Sequence, residues 1–100
     1  MIHHYVMIKL KQFSGKEEKL EKVDELKNRL ESLPPVIKEI KYFEVGQNIS
    51  ESERAADLIL ISRFNSLDDL EAYRIHPDHK KVLTLISEYA EKVTAVDFEK

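Results

Sequence analysis

The chain has no cysteine and no tryptophan, only two glycines and three prolines, and no long apolar run. Each absence excludes something. Without cysteine there is neither a disulfide framework nor thiol chemistry; a reducing compartment suits such a chain, and a cytoplasmic location is expected. No stretch approaches the roughly 20 apolar residues that a membrane-crossing helix needs. The first residues read as a strand and not as a basic, apolar and small-residue leader, so no signal peptide is expected. Charge of either sign is in no large excess. The net charge of −3 gives no general attraction to phosphate backbones or anionic lipid, so neither nucleic acid nor membrane is expected as a partner.

What is present is an ordinary globular composition: 42% apolar and 35% charged residues in 100 positions. That length suggests one domain over residues 1–100. A core this small leaves marginal stability unless association adds to it.

Residues 2–11, IHHYVMIKLK, alternate. Ile2, His4, Val6, Ile8 and Leu10 fall on one face of a strand, and His3, Tyr5, Met7, Lys9 and Lys11 on the other. Ser14 with Glu17 reads as a capping box opening a helix. Its apolar stripe is Leu20, Val23, Leu26, Leu30 and Leu33, and Pro34-Pro35 stops it. A second strand is read over 37–46 and a polar loop over 47–57. LILISRF, 58–64, is a third strand, apolar on both faces at its start and therefore central. Ser66 caps a short helix carrying Leu67, Leu70 and Tyr73. Pro77 suits the first turn of another helix, with His79, Val82, Leu83 and Ile86 inward. VTAVDF, 93–98, closes the chain as a strand.

Strand, helix, strand, strand, broken helix, strand is the split βαβ, ferredoxin-like order: an α+β fold with helices on one face of a four-stranded antiparallel sheet. The other face would expose Tyr5, Met7, Ile59 and Ile61. A second copy covers such a face most simply, so a homodimer through these residues is expected.

The segment FNSLDDLEAYRIHPDHKKV carries the chain's most distinctive motif, a tyrosine followed by His-Pro-x-His. With the opening MIHHYVMIKLK and the closing VTAVDFE, it resembles the stress-responsive α/β-barrel (Dabb) family of dimeric ferredoxin-like proteins. The resemblance runs in element order over the whole chain. It implies a dimeric α/β barrel and, by way of a polyketide cyclase in the family, a site. In that enzyme the tyrosine and second histidine of the motif act on the substrate, with the first-strand histidine nearby. The matching positions here are Tyr73, His79 and His4. The cyclase has a further histidine and tyrosine where this chain carries Leu58 and Leu26, which implies a more aliphatic pocket. Many family members keep the motif with no established reaction.

The residues themselves are consistent with such a site. His4 shares the helix-facing side of its strand with Val6 and Ile8, and Tyr73 and His79 sit at the inner edges of the two short helices. A half-buried imidazole held neutral is a general base near neutral pH, and a tyrosine hydroxyl can donate to a developing enolate. The expected ligand is a small apolar carbonyl or polyketide-like compound, lined by Ile8, Val23, Leu26, Leu58, Leu60 and Val82. The chemistry would be acid/base, without a cofactor. The alternative is a non-enzymatic, stress-associated dimeric interaction module. In that case Val23, Leu26, Leu58, Leu60 and Val82 fill the space between sheet and helices. His76, before Pro77, leans extended and is expected to end one helix and cap the next. Zinc needs three or four ligands, and His3 and His4 point to opposite faces, so no metal site is expected.

Overall fold

The structure, a computed structural model, describes residues 1–100. Its elements run β1 (Ile2–Leu10), α1 (Lys16–Glu31), β2 (Tyr42–Gln47), β3 (Leu58–Phe64), α2 (Leu67–Ile75), α3 (Pro77–Tyr89) and β4 (Ala90–Glu99). The four strands form one antiparallel sheet in the order β2-β3-β1-β4. This is the ferredoxin-like α+β arrangement read from the sequence. β1 and β3 are central, as the two apolar faces of β3 require.

Pleating divides β1 cleanly. Ile2, His4, Ile8 and Leu10 are buried beneath the helices, while Met7 on the other face is 45% exposed. β3 repeats the division: Leu58, Leu60, Ser62 and Phe64 are buried, and Ile59, Ile61 and Arg63 are only half-buried. The inner residues join Val23, Leu26, Leu30 and Leu33 of the first helical stretch, and Leu70, Tyr73, Val82 and Ile86 of α2 and α3, in one core. Burial of this set is the main stabilising term, at about 25 cal/mol per Å² of apolar surface.

Four local expectations need correction. α1 is not opened by a Ser14–Glu17 box: Gly15 is the cap residue and bears no side-chain bond, while Ser14 donates to Glu18 at 3.0 Å. Leu20, read as part of the inner stripe, is 52% exposed, because the stripe turns inward only from Val23. β2 begins at Tyr42, not at residue 37. After Pro34-Pro35 the chain makes successive turns, and Ile37 is fully buried there as a plug rather than as a strand residue. Conversely, β4 begins at Ala90, earlier than residue 93.

The junction between α2 and α3 follows from two caps. Ser66 accepts from the backbone N–H of Asp69 at 3.1 Å and starts α2. His76 is extended (φ −62°, ψ 134°), as a residue before proline prefers. Its N–H donates to the Tyr73 carbonyl at 3.2 Å, and its Nδ1 accepts from the Asp78 N–H at 3.1 Å. His76 therefore ends one helix and caps the next, as read from the sequence. The tight junction sets Tyr73 and His79 against each other, with ring centroids 4.2 Å apart.

The helices leave β4 uncovered. Apart from Ala90 every residue of β4 is exposed. No helix is long and apolar enough to cross a membrane.

Candidate functional site

Where the helices stop short of β4, a cavity of about 480 Å³ opens between α3 and the inner face of β1. Its polar residues gather at one end. His4, Tyr73, Arg74 and His79 stand there, while Val6, Ile8, Leu60, Ile86 and Val93 make an apolar chamber beyond them. Leu30 joins that chamber, and Leu83 and Ser87, both exposed, stand on its rim. The volume falls within the range of small-molecule sites, as does the pairing of apolar walls with a few convergent polar groups.

Tyr73 is fully buried, and its hydroxyl has no hydrogen-bond partner. Burial pushes its ionisation well above the usual phenol range, so the group stays protonated and available as a donor. An unmatched buried hydroxyl is costly, which makes it informative. The ring packs against His79, and against Phe64 at 5.1 Å.

The His79 Nδ1 lies 3.1 Å from the Arg74 carbonyl oxygen. A carbonyl only accepts, so Nδ1 carries the proton and Nε2 keeps the lone pair. Burial lowers the His79 pKa. The bond to Arg74 opposes that, while nearby His4, Arg74 and His76 add to it. The ring is therefore neutral at neutral pH, with one free basic nitrogen.

His4 is buried on β1, and its Nδ1 meets Oδ1 of Asp97. The antiparallel register that sets His4 opposite Asp97 builds this pair. A carboxylate on Nδ1 fixes the tautomer and leaves Nε2 as the second basic nitrogen. The other carboxylate oxygen of Asp97 accepts from Arg74 Nη2 at 2.6 Å. His4, Asp97 and Arg74 thus form a chain of charge-assisted bonds along the polar end. No group of three or more His, Cys, Asp or Glu side chains is placed to hold a metal ion anywhere in the molecule.

The structure brings His4, Tyr73 and His79 together at one cavity, and puts Ile8 and Leu60 in its wall. The other residues read as lining the ligand space lie elsewhere. Val23, Leu26, Leu58 and Val82 are buried in the core, where α1 and α3 close directly on the sheet, and none of them reaches this cavity. Leu30, Ile86 and Val93 take their place. Asp97 and Arg74 were not identified as site residues from the sequence. Strand alternation from Val93 through Ala95 does place Asp97 on the inner face. Its meeting with His4 depends on a register across 93 positions, which no local pattern specifies.

The outer face of the sheet is ordered differently. A row crosses all four strands: Tyr42, Arg63, His3 and Phe98, paired in register. The Arg63 guanidinium lies 4.5 Å from the Tyr42 ring centre, and His3 stacks on Phe98 at 4.9 Å. Next to this row come Tyr5, Ile61 and Val96, then Met7 and Ile59, with Ile59 leaning over Gly46. A Cβ at Gly46 would stand 3.0 Å from Ile59 Cγ2, so glycine lets this side chain lie down there.

Comparison with known proteins agrees with this architecture. A protein of Streptomyces coelicolor described as uncharacterised is 31% identical over 99 residues, covering 99% of each chain. A crystal structure from Bacteroides fragilis, described as a dimeric protein of unknown function with a ferredoxin-like fold, superposes with a TM-score of 0.90. It is 34% identical, over 99% of this chain and 95% of that one. A hydroxynitrile lyase from Passiflora edulis shares the fold at a TM-score of 0.80 and 15% identity, over 97% of this chain and 90% of its own. The profile of the stress responsive A/B barrel domain matches residues 2–100, and the chain belongs to that family, Dabb.

Proposed function

We propose that the protein is a homodimer that binds a small apolar carbonyl or polyketide-like compound in the cavity beside β4, and performs acid/base chemistry on it without a cofactor. The observation that carries this reading is Tyr73, a residue of the cavity wall whose buried hydroxyl has no partner. A ligand carbonyl supplies the missing acceptor.

The roles follow from the tautomers. Tyr73 donates to the carbonyl oxygen and stabilises the charge that grows there as an enolate forms. Nε2 of His79 removes the proton from the adjacent carbon. His79, now protonated at Nε2, returns that proton to the product, while His4, held by Asp97, offers its unprotonated Nε2 as acceptor to a hydroxyl of the compound. The Ile8, Ile86 and Val93 end takes the apolar part of the compound and excludes water.

The outer face suits the subunit contact, through Tyr5, Met7, Ile59 and Ile61. The Bacteroides fragilis structure, described as dimeric, supports a two-chain assembly for this fold. Covering a face of this kind contributes several kcal/mol at roughly 25 cal/mol per Å², a large share of a small domain's stability. The alternative, a non-enzymatic dimeric module, calls for a filled space between sheet and helices. The cavity weighs against it.

Tyr73→Phe tests the reading. Removing a hydroxyl that bonds nothing should leave the fold as stable or raise its stability by about 1 kcal/mol in denaturant titration. The same change should weaken binding of a medium-chain methyl ketone about tenfold, as loss of a hydrogen bond predicts. A variant that loses stability and keeps its ketone affinity would show the hydroxyl to be structural.

A further inference from the structure

The proposed proton chemistry employs His4, Tyr73 and His79. It leaves one polar residue of the cavity without a part of its own. Arg74 follows Tyr73 on α2, and its half-exposed side chain stands in the cavity wall at the same polar end. Its Nη2 is fixed by Asp97 at 2.6 Å. Its Nη1 lies 3.7 Å from Glu71, too far for a hydrogen bond, and the Glu71 side chain is 60% exposed. The guanidinium is thus anchored at one corner, with the rest of its donor fork unspent. Five N–H groups in one plane match an oxyanion that offers two acceptors.

The charges around it permit a second anion. Asp97 shares its other oxygen with His4 and is already compensated. Glu71 is an exposed neighbour three residues earlier on α2, and surface ion pairs of that kind hold their partners weakly. An incoming carboxylate can displace Glu71 while Asp97 keeps the guanidinium in place. No other cationic side chain lines the cavity, so the head of such a ligand has one destination.

We propose that the compound bound here is an acid, its carboxylate received by Arg74 and its apolar tail laid along Ile8, Ile86 and Val93. A carbonyl in the same head group then reaches Tyr73, which makes the class an oxo acid of medium chain length and not a neutral ketone. The proposal rests on the reading of this cavity as a ligand site, and narrows it.

Octanoate and octanamide separate the two claims, because they share a tail and differ in head charge. Calorimetric titration of the wild-type protein at low salt should show octanoate binding about tenfold more tightly, the scale of one charge-assisted contact. Arg74→Gln should bring the ratio of the two affinities near one and leave octanamide affinity within about twofold of wild type. Arg74→Lys, which keeps the charge but loses the fork, should fall between them. Glu71→Gln should preserve or increase the preference, since it removes the competing carboxylate. Thermal melting of each variant establishes that it is folded. Equal wild-type affinity for acid and amide, or a preference that survives in Arg74→Gln, overturns the oxo-acid assignment and leaves the cavity reading standing. If neither compound binds at millimolar concentration, the cavity reading itself fails.

Discussion

His3 and His4 are neighbours in the chain and have almost nothing else in common. His3 lies on the outer face, stacked on Phe98 beside Arg63. His4 lies beneath the helices, bonded to Asp97 and facing a cavity. The pleat of β1 alone separates them. One strand therefore contributes to two different surfaces: an inner one that lines a cavity, and an outer one that the helices leave uncovered. A one-residue slip in the β1–β3 register would exchange the two sets of side chains, which is why the pairing of Tyr5 with Ile61 and of Val6 with Leu60 matters to both.

This division can be broken from either side. The largest effect should come from the inner face. Leu26 is fully buried between α1 and the sheet, and Leu26→Ala should cost about 3 kcal/mol of stability in urea titration, with the subunit contact otherwise untouched. From the outer face, Ile61→Glu should act on association and not on the fold. It places a charge at the centre of the proposed contact, opposite Tyr5. Sedimentation should show single chains at micromolar concentration where the wild type is paired, with unchanged helical circular dichroism. An Ile61→Glu protein that still pairs would place the contact elsewhere.

Acid should produce a smaller effect, and it too should divide between the faces. The His79 pKa is lowered by burial, so the folded protein favours the neutral ring. In the window between that lowered value and 6.5, the unfolded chain binds the proton that the folded chain refuses. The contribution is complete above pH 6.5 and is lost as pH falls below it. The His3 pKa is lowered as well, by partial burial first and then by Arg63, the N-terminal amine and Lys100. The same sign applies: its contribution to stability is complete above pH 6.5 and is lost as pH falls below it. His79→Gln and His3→Gln should each remove part of the acid dependence of stability, and the double variant should remove more than either alone. Unfolding in denaturant at pH 7.5 and 5.5 measures each part.

Much of this was legible in the residues. LILISRF marks β3 to the residue, because Leu58 to Phe64 alternate between a buried and a half-buried face. Pro77 and Ser66 announce the starts of α3 and α2, since each supplies a local device that a helix end needs. Ile37 misled, because an apolar residue after two prolines can plug a turn as readily as it can begin a strand. Of the site, the Tyr73–His79 pair was readable because both lie in one short motif. The lining was not: Val23, Leu26, Leu58 and Val82 are as apolar as Leu30, Ile86 and Val93, and only packing determines which set faces empty space. Asp97 and Arg74 stayed hidden for a further reason. Their roles arise from contacts between β1, α2 and β4, and such contacts are set by register and helix placement rather than by local sequence.

The four histidines give the most direct test. Their ring nitrogens can be followed together by long-range proton–nitrogen NMR in the labelled protein, with and without a saturating medium-chain oxo acid. The account predicts that His79 and His4 shift on addition, with Nδ1 protonated in both, while His3 and His76 stay where they were. It is contradicted if His79 titrates like a free imidazole and its nitrogens do not move, or if His3 responds in its place.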